Sequence, residues 1–341
     1  MNYIKGLNGL RAISIFMVLL AHLGLRWSLP KSEFFLERFW PLISGDTGVM
    51  VFFVISGFLI TSLLLDEKKR NGSINLKFFF VRRFLRLLPP LILMMIFAVV
   101  LMFLDLIPIS VVGLFYSFFY INNFIPKANY TGELAHTWSL AVEEQFYFTW
   151  PFVLAFIKNP KIILGLAFVI VGSCVALFIF NQSNDLANDY HINRWFLPAI
   201  SPIIMGAIIA VLKDKSVRFM PSLGVFIIGL VLFLSPLYVP FDLLTYVSFF
   251  QALGVSCILL WIYHNQSSFL IKALELKPLF YIGQISYGIY IFQGVFLTTG
   301  PSLKWWIQSY PYNILLTFAV AVLSYHLIEQ PILKYKEKYK I

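Results

Sequence analysis

Charge is scarce in this chain: 12% of its 341 residues are Asp, Glu, Lys or Arg, about half the share of an ordinary soluble domain. With 60% of residues hydrophobic, that scarcity excludes a soluble globule, whose surface needs far more polar groups. Cysteine is nearly absent. Cys174 and Cys257 both sit inside apolar runs, so no disulfide framework or cysteine metal site is expected, and both read as small buried hydrophobes. Acidic residues are few, 16 against 26 Lys and Arg, which leaves a net charge of +10. In a soluble protein that excess would suggest nucleic acid. In an apolar chain it fits the cytoplasmic loops of a multi-pass membrane protein, and no nucleic-acid partner is expected. Internal repeats, low-complexity tracts and glycine-rich nucleotide loops are missing too. The first apolar run carries Arg11 and His22 with no small-residue cleavage site after it, so it is expected to stay as a helix, not to leave as a signal peptide.

Long apolar runs are what the sequence does contain. Stretches near the length of about 20 residues that a bilayer requires predict helices at 10–29, 48–65, 87–104, 138–157, 162–180, 196–212, 219–239, 245–263, 280–298 and 312–328. The segment 108–125 is more polar, with Pro108, Ser110, Gly113, Ser117, Asn122 and Asn123. If it stays outside, 20 of the 26 basic residues face the cytoplasm and 6 do not; if it crosses, the split is 12 and 14. The positive-inside rule selects the first arrangement. The expected fold is therefore an all-α polytopic membrane protein. It has ten transmembrane helices, both termini cytoplasmic and an outer-side or re-entrant segment at 108–125. One membrane domain covers 1–341, with a basic cytoplasmic tail at 329–341.

Ionisable residues inside such helices are functional candidates, because each costs about 2.5–3.5 kcal/mol near a helix centre. Arg11 and His22 are eleven residues apart, which places them on one helix face about 16 Å from each other. Their plainer alternatives are an interfacial arginine that snorkels and a packing histidine. The run His136-Thr137-Trp138-Ser139-Leu140-Ala141-Val142-Glu143-Glu144-Gln145-Phe146-Tyr147 puts two adjacent carboxylates into a span. A helix N-terminus offsets roughly 0.3–1 kcal/mol, less than one carboxylate costs. Counted from the expected cytoplasmic ends, His22 lies about 18 Å up its helix and Glu143 about 21 Å up its own. They are expected to meet, with His22 as general base and Glu143 orienting the imidazole. Arg82, Arg83 and Arg86 fall within one helical turn and suit a phosphate group, although a topology anchor or contact with anionic lipid is the simpler alternative. No metal site is expected. A phosphorylated carrier with a thin arm of about 15–20 Å would fill the Arg11–His22 face, and acyl-coenzyme A has that shape.

Five motifs in order resemble a known family. They are Gly9-Leu10-Arg11-Ala12 with His22; Gly48-Val49-Met50-Val51-Phe52-Phe53-Val54-Ile55-Ser56-Gly57-Phe58-Leu59-Ile60; Arg82-Arg83-Phe84-Leu85-Arg86; Thr137-Trp138-Ser139-Leu140-Ala141-Val142-Glu143; and Ile285-Ser286-Tyr287-Gly288-Ile289-Tyr290. Together they resemble acyltransferase family three, the integral-membrane O-acyltransferases, from residue 6 to about 331. The resemblance implies a ten-helix enzyme of the cytoplasmic (inner) membrane. It would move an acetyl or other acyl group from cytoplasmic acyl-CoA to a carbohydrate hydroxyl of an envelope polysaccharide or its lipid-linked precursor. By motif position His22 and Glu143 would be catalytic and Arg11, Arg82, Arg83 and Arg86 would bind the donor. Trp138, Ser139, Glu144 and Tyr147 would support them.

Acetyl-CoA would be a substrate, and no permanently bound cofactor is implied. Gln293 stands where many members carry His, and Met50 where many carry a polar or acidic residue. No hydrolase-like domain of the kind fused to some members is expected, so the acceptor would be handled by this membrane unit, by a homo-oligomer or by a separate partner protein. Outer loops 26–47, 105–137 and 181–194 offer Trp27, Trp40, Tyr116, Tyr120 and Tyr130 for stacking on sugars, or for anchoring at the interface. A transporter or flippase for a sugar-containing substrate, with His and Glu as a proton relay, is the rival reading.

Overall fold

A computed structural model of the protein describes residues 3–24, 32, 34–108, 110–181, 186–214, 222–297 and 305–336. Arg26, Trp27, Lys31, Lys215, Arg218, Lys304, Lys338 and Lys340, which enter the charge count and the outer-loop expectations, lie outside the described residues, as do 25–29 of the first expected span and 337–341 of the expected tail. Among the described residues the secondary structure is helical, with one isolated bridge between Pro126 and Tyr190 and no strand. The principal helices are α1 (Leu7–His22), α2 (Gly45–Asn71), α3 (Leu76–Phe103), α4 (Val111–Phe118), α5 (Thr137–Phe156) and α6 (Pro160–Asn181). They continue with α7 (Ser201–Leu212), α8 (Leu223–Phe233), α9 (Val247–His264), α10 (Lys277–Leu297) and α11 (Tyr312–Ser324).

Local chemistry explains the ends that matter for the site. The Ser44 hydroxyl caps α2 by accepting from the Thr47 N–H at 3.2 Å, and Gly72, at φ 74°, stops that helix. Asn75 caps α3 through the Phe78 N–H at 3.0 Å, after which α3 runs unbroken through Pro89 and Pro90. Two differences from the expected spans follow. The arginines at 82, 83 and 86 belong to the same 28-residue helix as the apolar run behind them, instead of preceding it. Helix α1 starts at Leu7 and ends at His22, with Gly24 beyond it at φ 75°, so His22 is a helix-terminal residue.

Among the described residues, five segments are long and apolar enough to cross a membrane: Phe35–Asn71, Leu76–Phe103, Pro160–Asn181, Val247–His264 and Tyr312–Ile332. Helices α1, α7 and α8 are apolar but shorter. Helices α5 and α10 have the length, 20 and 21 residues, but carry polar side chains along it. The segment 108–125 does not cross as a helix: α4 has eight residues, about 12 Å, and short 3-10 turns follow it. Its irregular backbone is held inside the protein. Asn122 donates to the Leu134 carbonyl at 3.0 Å, and Gln145 of α5 donates to the Tyr120 carbonyl at 2.9 Å, which satisfies backbone carbonyls that no regular helix pairs.

Small residues bring the central helices together. A side chain at Gly57 of α2 would run into the Ile203 carbonyl of α7, and one at Gly206 into the Val54 carbonyl, so these two backbones touch. Gly48 lets α2 approach the Ser14 carbonyl of α1 in the same way. Helix α6 is peripheral: 17% of its apolar window is buried, against 67% for the segment that contains α2. Side-chain ties close one end of the bundle. Lys68 of α2 donates to the Leu154, Ala155 and Ile157 carbonyls at the end of α5, at 2.5, 3.3 and 3.0 Å, where a cation complements the helix dipole. Lys213 pairs with Asp66 at 3.3 Å.

Candidate active site

Two cavities meet in the middle of the bundle. The inner one, about 770 Å³ including its mouth, is lined by Arg11 of α1, Ser56 of α2, Arg83 and Arg86 of α3, Glu143 and Tyr147 of α5, and Tyr287 and Tyr290 of α10, among others. Glu143 and Tyr147 are one turn apart on α5. The Tyr147 hydroxyl lies 3.2 Å from Glu143 Oε1 and 3.1 Å from Ser56 Oγ and can donate to either, and the Ser56 hydroxyl donates to the same carboxylate oxygen. Arg11 and Arg83 both act electrostatically on Glu143. The Arg83 guanidinium lies 4.8 Å from the Tyr147 ring centre and 5.6 Å from that of Phe79. Three guanidiniums thus line this cleft against the single carboxylate of Glu143. Such an excess of partly desolvated positive charge calls for an anionic ligand.

Arg82 does not join them. It pairs with Glu67 at 3.3 Å, and Glu67, a buried residue, also accepts the Asn75 N–H at 2.7 Å. Consecutive helical residues point about 100° apart, so Arg82 turns to α2 where Arg83 turns to the cleft. Of the four arginines expected to bind the donor, Arg11, Arg83 and Arg86 line the cleft and Arg82 does not. Glu144 stands beside the cleft, close enough to Tyr120 and Tyr287 to act on both.

The outer cavity, about 950 Å³ including its mouth, is lined by His22, Trp40, Asp46, Tyr130, His136, Trp138, Arg194 and Tyr290, among others. His22 Nδ1 lies 2.8 Å from the Val18 carbonyl. A carbonyl only accepts, so Nδ1 carries the proton and Nε2 keeps its lone pair, the tautomer a general base needs. Arg194 donates to the Tyr130 hydroxyl and packs over the Tyr130 and Trp138 rings at 5.4 and 5.3 Å. Trp40 and Tyr130, two of the expected sugar-stacking aromatics, line this chamber with Trp138; Tyr116 and Tyr120 do not.

The expected contact between His22 and Glu143 is not formed. The imidazole is oriented by the Val18 carbonyl, and the carboxylate by Ser56 and Tyr147. His22 shares its chamber with His136, the residue that precedes α5, and Glu143 lies seven residues, about 10 Å, further along that helix. Trp138 and Ser139 divide between the cavities, Trp138 outside and Ser139 inside. His136, Asp46, Arg194, Tyr290 and Ser56 escaped the sequence reading as site residues, although His136, Ser56 and Tyr290 stand in or beside the quoted motifs. Met50 is buried in the apolar core, and Gln293 is fully buried with no hydrogen-bond partner for either amide atom among the described residues.

His191, in the loop beside the outer chamber, packs against Tyr130 with ring centres 4.9 Å apart. Burial, then Arg194 and Lys127, push its pKa down to about 4. The unfolded chain therefore binds the extra proton between about pH 6.5 and 4, so this group removes stability as pH falls through that window. His191→Gln is expected to make the thermal midpoint less sensitive to pH between 6.5 and 4 than in the parent, as followed by differential scanning fluorimetry.

Comparison with known proteins identifies the family. A family model described as an acyltransferase domain matches residues 4–328. Over 97% of its length the chain is 30% identical to the peptidoglycan O-acetyltransferase OatA of Listeria monocytogenes and to the O-acetyltransferase OatA of Staphylococcus aureus. It is 29% identical over the same share to the putative peptidoglycan O-acetyltransferase YrhL of Bacillus subtilis. These alignments cover 56%, 57% and 55% of the three relatives, so the chain spans somewhat over half their length. No solved structure matches it. From the near-complete family match and the apolar helices, we conclude that the chain is a multi-pass membrane protein and belongs to acyltransferase family three.

Proposed function

We propose that this protein is an O-acetyltransferase of the bacterial cytoplasmic membrane that takes the acetyl group of cytoplasmic acetyl-CoA and places it on a hydroxyl of an envelope glycan. The observation that carries this reading is the pairing of cavities: an arginine-lined inner cleft backs onto an outer chamber that holds a histidine with a free Nε2. With ten spans and both termini in the cytoplasm, the inner cleft would open to the donor side, the side on which α2 ends in Lys68, Lys69 and Arg70. Arg11, Arg83 and Arg86 hold the donor's phosphates, and its arm extends along α1 toward His22. The glycan ring lies in the outer chamber among Trp40, Tyr130 and Trp138, faces suited to a sugar's apolar side.

In the reaction the acceptor hydroxyl oxygen attacks the acetyl carbonyl carbon while His22 Nε2 takes its proton. The carbon–sulfur bond breaks, and the leaving thiolate receives that proton from the imidazolium, giving the O-acetyl ester and free CoA. Glu143 balances the cleft arginines and fixes Tyr147 and Ser56. The names of the similar proteins support a peptidoglycan acceptor. Purified protein supplied with acetyl-CoA and a soluble peptidoglycan oligosaccharide is expected to release CoA in step with ester formation, followed by thiol assay and mass spectrometry. Ester-free glycan with no CoA release would sink the reading in favour of transport.

A further inference from the structure

Val49 and Tyr290 line both cavities, so the space between the arginines and His22 is closed by very little protein. Tyr290 is buried at 7% exposure and is held at two points. Its hydroxyl lies 2.6 Å from Ser139 Oγ and donates to the His136 carbonyl at 3.0 Å. Its ring stands edge-on to the His136 ring at 5.5 Å and to that of Phe52 at 6.3 Å. The backbone behind it is fixed, since Ile289, Ile291 and Phe292 on α10 are fully buried, which leaves side-chain rotation as the available motion.

We infer that Tyr290 is a movable septum between the donor cleft and the acceptor chamber, latched by its hydroxyl to the start of α5. This deepens the proposed function and rests on it for the identity of the donor. The donor arm must pass this residue to bring its thioester to His22. The latch is suited to opening. The Ser139 hydroxyl, which donates to Tyr290 while the latch is closed, also lies 3.2 Å from the His136 carbonyl, so it can turn to that carbonyl when the tyrosine swings away and no buried acceptor is orphaned. Closed, the septum keeps water in the outer chamber from a waiting thioester. Open without an acceptor, it admits hydrolysis, in which water attacks the acetyl carbon, the carbon–sulfur bond breaks, and acetate and the CoA thiol leave.

The test uses the full chain with Cys174 and Cys257 replaced by Ala and a reporter Ala21→Cys, since Ala21 lines the outer chamber. A membrane-impermeant maleimide is applied to inverted membrane vesicles, from the donor side, and to intact cells, from the other. With Tyr290 present the reporter should label from the outer side alone. Tyr290→Ala should raise donor-side labelling about tenfold or more, as removal of a gate does, and Tyr290→Phe, which keeps the ring and loses the latch, should raise it severalfold. Tyr290→Phe carries the test by itself where Tyr290→Ala fails to fold. Donor-side labelling that is already fast in the parent, or that neither variant raises, overturns the septum. Labelling needs no donor, so variants that label as expected while acetyl-CoA yields no CoA overturn the donor assignment and leave the septum standing.

Discussion

His22→Ala should abolish acetyl transfer while leaving the protein folded in the membrane. The expected loss is about 10²–10⁴-fold, the contribution of a positioned general base, measured as ester formed on a soluble glycan by purified protein in detergent. The fold should tolerate the change because His22 is the last residue of α1 and lies partly exposed on a chamber wall. What disappears from the structure is one hydrogen bond to a helix carbonyl, Val18, on the order of 1 kcal/mol. Gel-filtration profile and thermal midpoint should therefore stay close to the parent. Near-normal transfer by this variant would remove His22 from the mechanism altogether. Loss of activity with a collapsed elution profile would make it a structural residue instead.

Where the sequence succeeded, the signal was dense and local. Apolar runs located the helices, and Arg11 and His22 lie on one continuous helix as their eleven-residue spacing required. Charge sorting set 108–125 apart from the expected spans, and the α-helix found there among the described residues is eight residues long. The failures came from tertiary contact. Nothing in the order Arg82-Arg83 says which guanidinium meets Glu67 and which meets the cleft, because that depends on how α3 is rotated against α2. The depth estimate that joined His22 to Glu143 measured each along its own axis, ignoring side-chain direction and the partners each group finds nearby, Val18 for one and Ser56 with Tyr147 for the other. Asp46 and Arg194 reach the outer chamber from segments far apart in sequence, and no periodicity marks such residues in advance.

Arg83→Gln and Arg82→Gln, neighbours of identical chemistry, should separate into a binding defect and a stability defect. Arg83 faces the cleft over the Tyr147 ring, beside Arg11 and Arg86, where a donor phosphate would be its counter-ion. Truncating one partner of a desolvated charge pair costs about 2–5 kcal/mol. This cleft is open at its mouth, so the lower end applies, and the KM for acetyl-CoA should rise about 30-fold, the equivalent of ~2 kcal/mol. The kcat should change little, because on the proposed donor placement the guanidinium would meet the phosphates, away from the acetyl carbon. Arg82→Gln instead leaves the buried Glu67 without its guanidinium, though still holding the Asn75 N–H. That loss is about 1–3 kcal/mol of folding stability, visible as a lowered thermal midpoint with an unchanged KM. Steady-state kinetics over a range of acetyl-CoA concentrations, paired with thermal melts, distinguish the two outcomes. Equal KM increases in both variants would mean that Arg82 also reaches the donor and that its ion pair with Glu67 opens when the donor binds.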